Sequence, residues 1–182
     1  MRVVADILDR ISTALNRVAL WGAILSILIL VLVAGWQVVA RYVLDQPPPW
    51  TEELARYAMV WAGVLGASCA FRAGVDPSLF PGQREKRGPV GNLWAIIRAV
   101  GALAFATPIL WYSVMGLNMN PGRSYIARLA GRQADTMDVP MVVFGIAIPV
   151  AFTLIIIHAF AGLTAHFSGN RDLPEAEGET SS

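Results

Sequence analysis

The chain has one cysteine, two histidines and a formal net charge of only +1, and each scarcity removes a class of explanation. The single thiol, Cys69, cannot close an intramolecular disulfide. It reads instead as a small residue within an apolar segment. His158 and His166 fall on one expected helix, whereas a bis-histidine haem in a bundle needs ligands on facing helices, and there is no third histidine. No zinc-ligand spacing, P-loop or nucleophile motif occurs, so no cofactor is expected and the chain is not expected to be an enzyme. So small a net charge gives no long-range field suited to nucleic acid. No internal repeat is visible. A cleaved signal peptide is not expected either, because the charged lead is long and the apolar run after it exceeds a normal h-region.

What the chain does have is apolar sequence in blocks. Hydrophobic residues make up 55% of it, and the charges sit almost entirely between the blocks. A bilayer-crossing helix needs about 20 predominantly apolar residues. The first block, Val18 to Ala40, carries no charge and would extend roughly 34 Å as a helix. Three more follow, at about 54–71, 93–117 and 139–167. The expected fold is therefore all-α: an integral membrane protein with four transmembrane helices in one domain, 1–167, and a disordered polar tail, 168–182. Upstream, Val4, Ile7, Leu8, Ile11 and Leu15 recur at helical spacing while Asp6, Asp9, Arg10, Thr13 and Arg17 take other faces. This predicts an interfacial amphipathic helix leading into the first span.

Three loops join the spans. The first is short and proline-rich. The second, about 72–92, is punctuated by Gly and Pro around Arg84, Glu85, Lys86 and Arg87 and reads as irregular. The third, about 118–138, has room for a short surface helix. Four spans place the N-terminus, second loop and C-terminus on one side. That side carries more Arg and Lys than the other, so the positive-inside rule puts both termini in the cytoplasm. Small residues suited to close helix packing occur at Ala62, Gly63, Gly66, Ala67 and Ala70, at Gly101, Ala102 and Ala106, and at Gly145, Pro149 and Gly162. Pro108 and Pro149 are candidate kinks.

The densest local signal is Arg41-Tyr42-Val43-Leu44-Asp45-Gln46-Pro47-Pro48-Pro49-Trp50-Thr51-Glu52-Glu53-Leu54-Ala55-Arg56-Tyr57. An apolar helix leaves the membrane here, turns at three prolines, and the chain returns behind a tryptophan of the kind favoured at the interface. Thr51 is a candidate cap. Glu52 and Arg56 are spaced to pair along one helix face, and both glutamates suit a helix N-terminus. Arg41, across the turn, is expected to bond one of the two glutamates and fix the turn, an Arg41–Glu53 clasp being the pair to test, and at least one carboxylate is expected to bond Arg41 or Arg56. These residues read equally as plain interfacial anchors. Arg98 lies about two turns inside its span. Its stem can snorkel to the interface, the reading preferred here, or its head can face a partner's carboxylate or carbonyls.

The same stretch resembles the small membrane subunit of tripartite ATP-independent periplasmic (TRAP) transporters, the DctQ-like family. That family ends its first helix in Arg-Tyr, continues through Pro-Trp and Glu-Glu-Leu-Ala-Arg-Tyr, and has a Gly- and Ala-rich second helix. A second block, Asp138-Val139-Pro140-Met141 through Ile148-Pro149-Val150, is similar to the opening of the family's last helix. The chain departs from the pattern after Phe71-Arg72-Ala73-Gly74. The resemblance implies a multi-pass subunit of the bacterial inner membrane. Its partners would be the lipid bilayer, a large permease subunit that carries the substrate and sodium sites, and a periplasmic solute-binding protein that delivers the solute, often an organic acid. No nucleotide motif is present, which agrees with an ion gradient as the energy source. Two other readings stay open. One is an autonomous homo-oligomeric carrier or channel, although such carriers usually keep a carboxylate in a span and the first span here offers only Ser26 and Gln37 as notable polar groups. The other is a small membrane enzyme or haem subunit.

Overall fold

Long apolar runs without period-two alternation favour helices, and the described residues of the computed structural model, 2–75 and 88–168, contain helices and no β-strand. In chain order the helices are α1 (Arg2–Tyr42), α2 (Pro49–Ala73), α3 (Pro89–Val114), α4 (Tyr125–Ala130), α5 (Val142–Gly145) and α6 (Ala147–Ser168). Two 3-10 turns, Leu117–Met119 and Pro121–Arg123, precede α4. Four helical stretches are long and apolar enough to cross a membrane: α1, α2, α3, and Val142–Ser168, which joins α5 to α6. The expected loop around Arg84 to Arg87 and the polar tail from 169 lie outside the described residues.

The first span has no break from its amphipathic lead. α1 runs 41 residues as one helix, about 60 Å, roughly twice the thickness of a bilayer's hydrocarbon core. Its inward face is small: Ala5, Ser12, Ala19 and Ala23 are buried, while Val4, Ile7 and Ile11 point outward. α2 begins with Pro49 in its first turn, where a missing N–H costs nothing, and ends at Gly74 in the left-handed conformation. Thr51 is not the cap. It is fully buried, and its hydroxyl donates back to the Pro48 carbonyl at 2.7 Å.

α1 packs on α2 and α6, α2 packs on α6, and α3 packs on α6. The centre is a small cluster of Ala19, Ala23, Leu65 and Leu154, flanked by Leu15, Trp61, Cys69 and Val150. Alanines let the backbones approach, the usual packing device where lipid supplies no hydrophobic drive between helices. At Gly22 the contact is tight, for a β-carbon there would sit 2.9 Å from Leu65 Cδ1. The expected small-residue faces are only partly used. On α3 the buried stripe is Gly91, Ala95, Ala99, Ala106 and Ser113, and a β-carbon on Gly101, Gly63 or Gly66 would touch nothing within 4 Å. Helix α3 runs on through Pro108. Pro149 falls in the first turn of α6, and the interruption in that span comes just before it, at Ile146.

Candidate functional site

The polar side chains that the fold buries gather at the two ends of the bundle. At the hairpin end, α2 starts after the proline turn and carries Glu53 inward, 7% exposed, while Glu52 points out. Glu53 meets a loop far away in sequence. Residues 131–141 fold back on themselves through an isolated antiparallel bridge, Gln133 to Pro140, with Ala134 N–H donating to Val139 O at 2.9 Å and Met141 N–H to Arg132 O at 2.9 Å. The tip of that loop is aimed at Glu53. Asp135 N–H donates to Glu53 Oε1 at 2.9 Å and Thr136 N–H to Oε2 at 2.8 Å, and the Thr136 hydroxyl also donates to Oε2. The Tyr57 hydroxyl, one turn along α2, donates to Oε1 at 3.0 Å. Four donors converge on a group that is acceptor-only when ionised, so a carboxylate satisfies all of them. Tyr57 then stacks on Phe144 of α5, with centroids 4.0 Å apart and planes 6° from parallel. Beneath the loop, Gly145 lets α4 sit against α5. A β-carbon there would lie 2.0 Å from Leu129 Cδ1 and 3.0 Å from the Tyr125 hydroxyl.

The expected Arg41–Glu53 clasp does not form. Glu53's acceptor positions are taken by the loop and Tyr57, and Arg41 is exposed, with no bond to the described residues. The helix-face pair does form: Arg56 Nη2 lies 3.3 Å from Glu52 Oε1, with both side chains mostly exposed. Such a pair is worth about 0–1 kcal/mol. Trp50 stands at the start of α2, 39% exposed.

At the opposite end, Arg72 in the last turn of α2 reaches α1. Its guanidinium donates to Asp9 Oδ1 at 3.0 Å, to Thr13 Oγ1 at 2.6 Å and to the fully buried Ser12 hydroxyl. Ser12 Oγ lies 2.7 Å from His158 Nδ1 on α6, and His158 is 4% exposed. His158 thus joins a three-helix network. His166, further along α6, has Nε2 2.8 Å from Asn92 Oδ1 on α3. Nothing in the sequence pointed to the contacts of His158 with Ser12 and of Ser12 with Arg72, whose partners lie far apart in the chain. Arg98 turns into the same region, beside Gly162. Among the described residues, no three His, Cys, Asp or Glu side chains come together as a metal site would need.

The two sequence blocks that carry the hairpin-end cluster also carry a family signature. The family model for the DctQ component of tripartite ATP-independent periplasmic transporters matches residues 30–168. The chain belongs to the DctQ family. No curated protein matches it. The matched region includes both the Glu53–Tyr57 turn of α2 and the Asp138–Met141 loop, so the DctQ blocks are in contact in the fold. DctQ proteins are transporter components and not an enzyme family, and this one is a multi-pass membrane protein. The DctQ match starts at residue 30, so the first two-thirds of α1, with Asp9, Ser12 and Thr13, lies outside it.

Proposed function

We propose that this DctQ protein is the membrane scaffold of a TRAP transporter. It supports a large permease subunit in ion-gradient-driven uptake of a solute, an organic acid by class, delivered by a periplasmic binding protein. The observation that carries the scaffold role is the saturation of Glu53. Among the described residues it is the only buried acidic side chain, and four protein donors occupy it. A coupling-ion ligand needs open acceptor positions, whereas this carboxylate ties a loop to a helix. A second support is the surface. In each spanning window only 17–33% of residues are buried, so most of the apolar surface requires lipid or a partner.

In this reading the protein lies in the bacterial inner membrane with both termini cytoplasmic. The Glu53 clasp then faces the periplasm, Trp50 anchors the interface, and Arg41 and the Glu52–Arg56 pair are exposed there. Topology is tested with reporter fusions at the C-terminal tail and in the 118–138 loop, which should report opposite sides. A periplasmic C-terminus overturns the orientation. The partnership is tested by co-expressing the chain with its large permease and purifying by a tag on this chain alone. Stoichiometric recovery of the permease is expected, and failure to recover it contradicts the scaffold role.

A further inference from the structure

Helices α2 and α3 both lean on α6 with no substantial packing between them, which leaves a groove whose floor is α6. Where α2 ends, the groove deepens into a cavity of about 60 Å³ lined by Arg72, Arg98, His158, Gly162, Phe71 and Ala99 among others. Three features make it a site for an acceptor. The first is the orientation of His158. Ser12 accepts a hydrogen bond from Arg72, and its hydroxyl makes no bond back to its own helix of the kind Thr13 and Ser26 make. Its proton therefore goes to His158 Nδ1, and the network assigns the remaining ring proton to Nε2. The second is that Nε2 is buried without a hydrogen-bond partner. His158 is one of the residues that line the cavity. The third is Arg98, whose Nη2 stands 4.0 Å from where a β-carbon on Gly162 would be, so the glycine keeps the space beneath the guanidinium open. Side chains on α3 lean toward its N-terminus, which carries this head toward the same end as Arg72.

We propose that this cavity holds the phosphate of an anionic phospholipid, with His158 Nε2–H and Arg98 donating to its oxygens and Arg72 behind them. The cavity is walled by residues of three helices long and apolar enough to cross a membrane, which favours a lipid over a free ion. Phe71 and Ala99 provide apolar walls next to the donors. Basic pockets between spanning helices are a known chemistry for lipid headgroups.

The test is native mass spectrometry of the full chain released from detergent after incubation with phosphatidylglycerol or phosphatidylcholine, with inorganic phosphate as a competitor. The wild type should retain phosphatidylglycerol in preference to phosphatidylcholine, and phosphate should not displace it. Arg98→Gln and Gly162→Leu, the second filling the cavity with every charge kept, should each reduce retention by about fivefold. Arg41→Gln, at the other end, should leave it unchanged. Equal retention of the two lipids by the wild type overturns the proposal without reference to any variant. Displacement by inorganic phosphate reassigns the cavity to a free anion and also overturns it. So does wild-type retention by Arg98→Gln.

Discussion

Ser12 on α1 and Ser68 on α2 are both fully buried, and their hydroxyls do opposite things. Ser12 receives the Arg72 guanidinium and bonds His158, joining three helices, whereas Ser68 Oγ has no partner. Replacing each by alanine removes one oxygen and leaves the backbone unchanged. Interhelical hydrogen bonds in membranes average about 0.6 kcal/mol and reach about 1.7. A charge-assisted bond belongs near the top of that range and a neutral one near the average, so Ser12→Ala should cost about 2 kcal/mol. Ser68→Ala removes a buried, unsatisfied hydroxyl and should be neutral or stabilising by up to about 1 kcal/mol. The assay is unfolding in mixed micelles by titration with a denaturing detergent, followed by circular dichroism, with the two variants beside the wild type. The midpoint should fall for Ser12→Ala and hold or rise for Ser68→Ala. Equal shifts, or the reverse order, would refute the claim that this end of the bundle is held by the Asp9–Ser12–Arg72–His158 network.

Two further outcomes concern the hairpin end. Glu53→Gln places an amide NH₂ against two donors and should lower the unfolding midpoint, while Glu52→Gln, at an exposed pair, should not. Arg41→Ala should combine additively with Glu53→Gln in the same titration, since the two residues do not touch, and strong coupling would contradict the geometry. Gly145→Ala drives a methyl into Leu129 and should destabilise by about 1–3 kcal/mol, measured the same way. Leu129→Ala added to it should recover part of that loss, and no recovery would mean that the clash lies elsewhere.

The four spans and the proline hairpin were legible because their causes are local. A charge-free run at Val18 to Ala40 and Pro47-Pro48-Pro49 before Trp50 need no distant partner to be understood. The pairing of Glu52 with Arg56 was legible for the same reason, one turn of helix. Glu53 was marked in the sequence, but its bonding partners were not. Sequence proximity suggested Arg41, whereas the donors come from Asp135 and Thr136, more than 80 residues on. Backbone N–H groups are invisible to a reading of side-chain types, and two of the four donors are backbone. The small-residue face of α3 was placed only in part, with Ala106 buried as marked, because glycine and alanine are common in spans and composition cannot say which side turns inward. Ala95 and Ala99 do so, and Gly101 does not. The break at Ile146 falls where Pro149 predicts it, since the proline cannot bond the Gly145 carbonyl and its ring crowds that turn.

The central claim is that this chain supports transport without performing it. The direct measurement is solute uptake into proteoliposomes under an imposed ion gradient, with the binding protein outside, comparing vesicles that hold this chain alone with vesicles that also hold the large permease. The account predicts no uptake above protein-free vesicles for the chain alone and gradient-dependent uptake when both subunits are present. Robust uptake by this chain alone would contradict it.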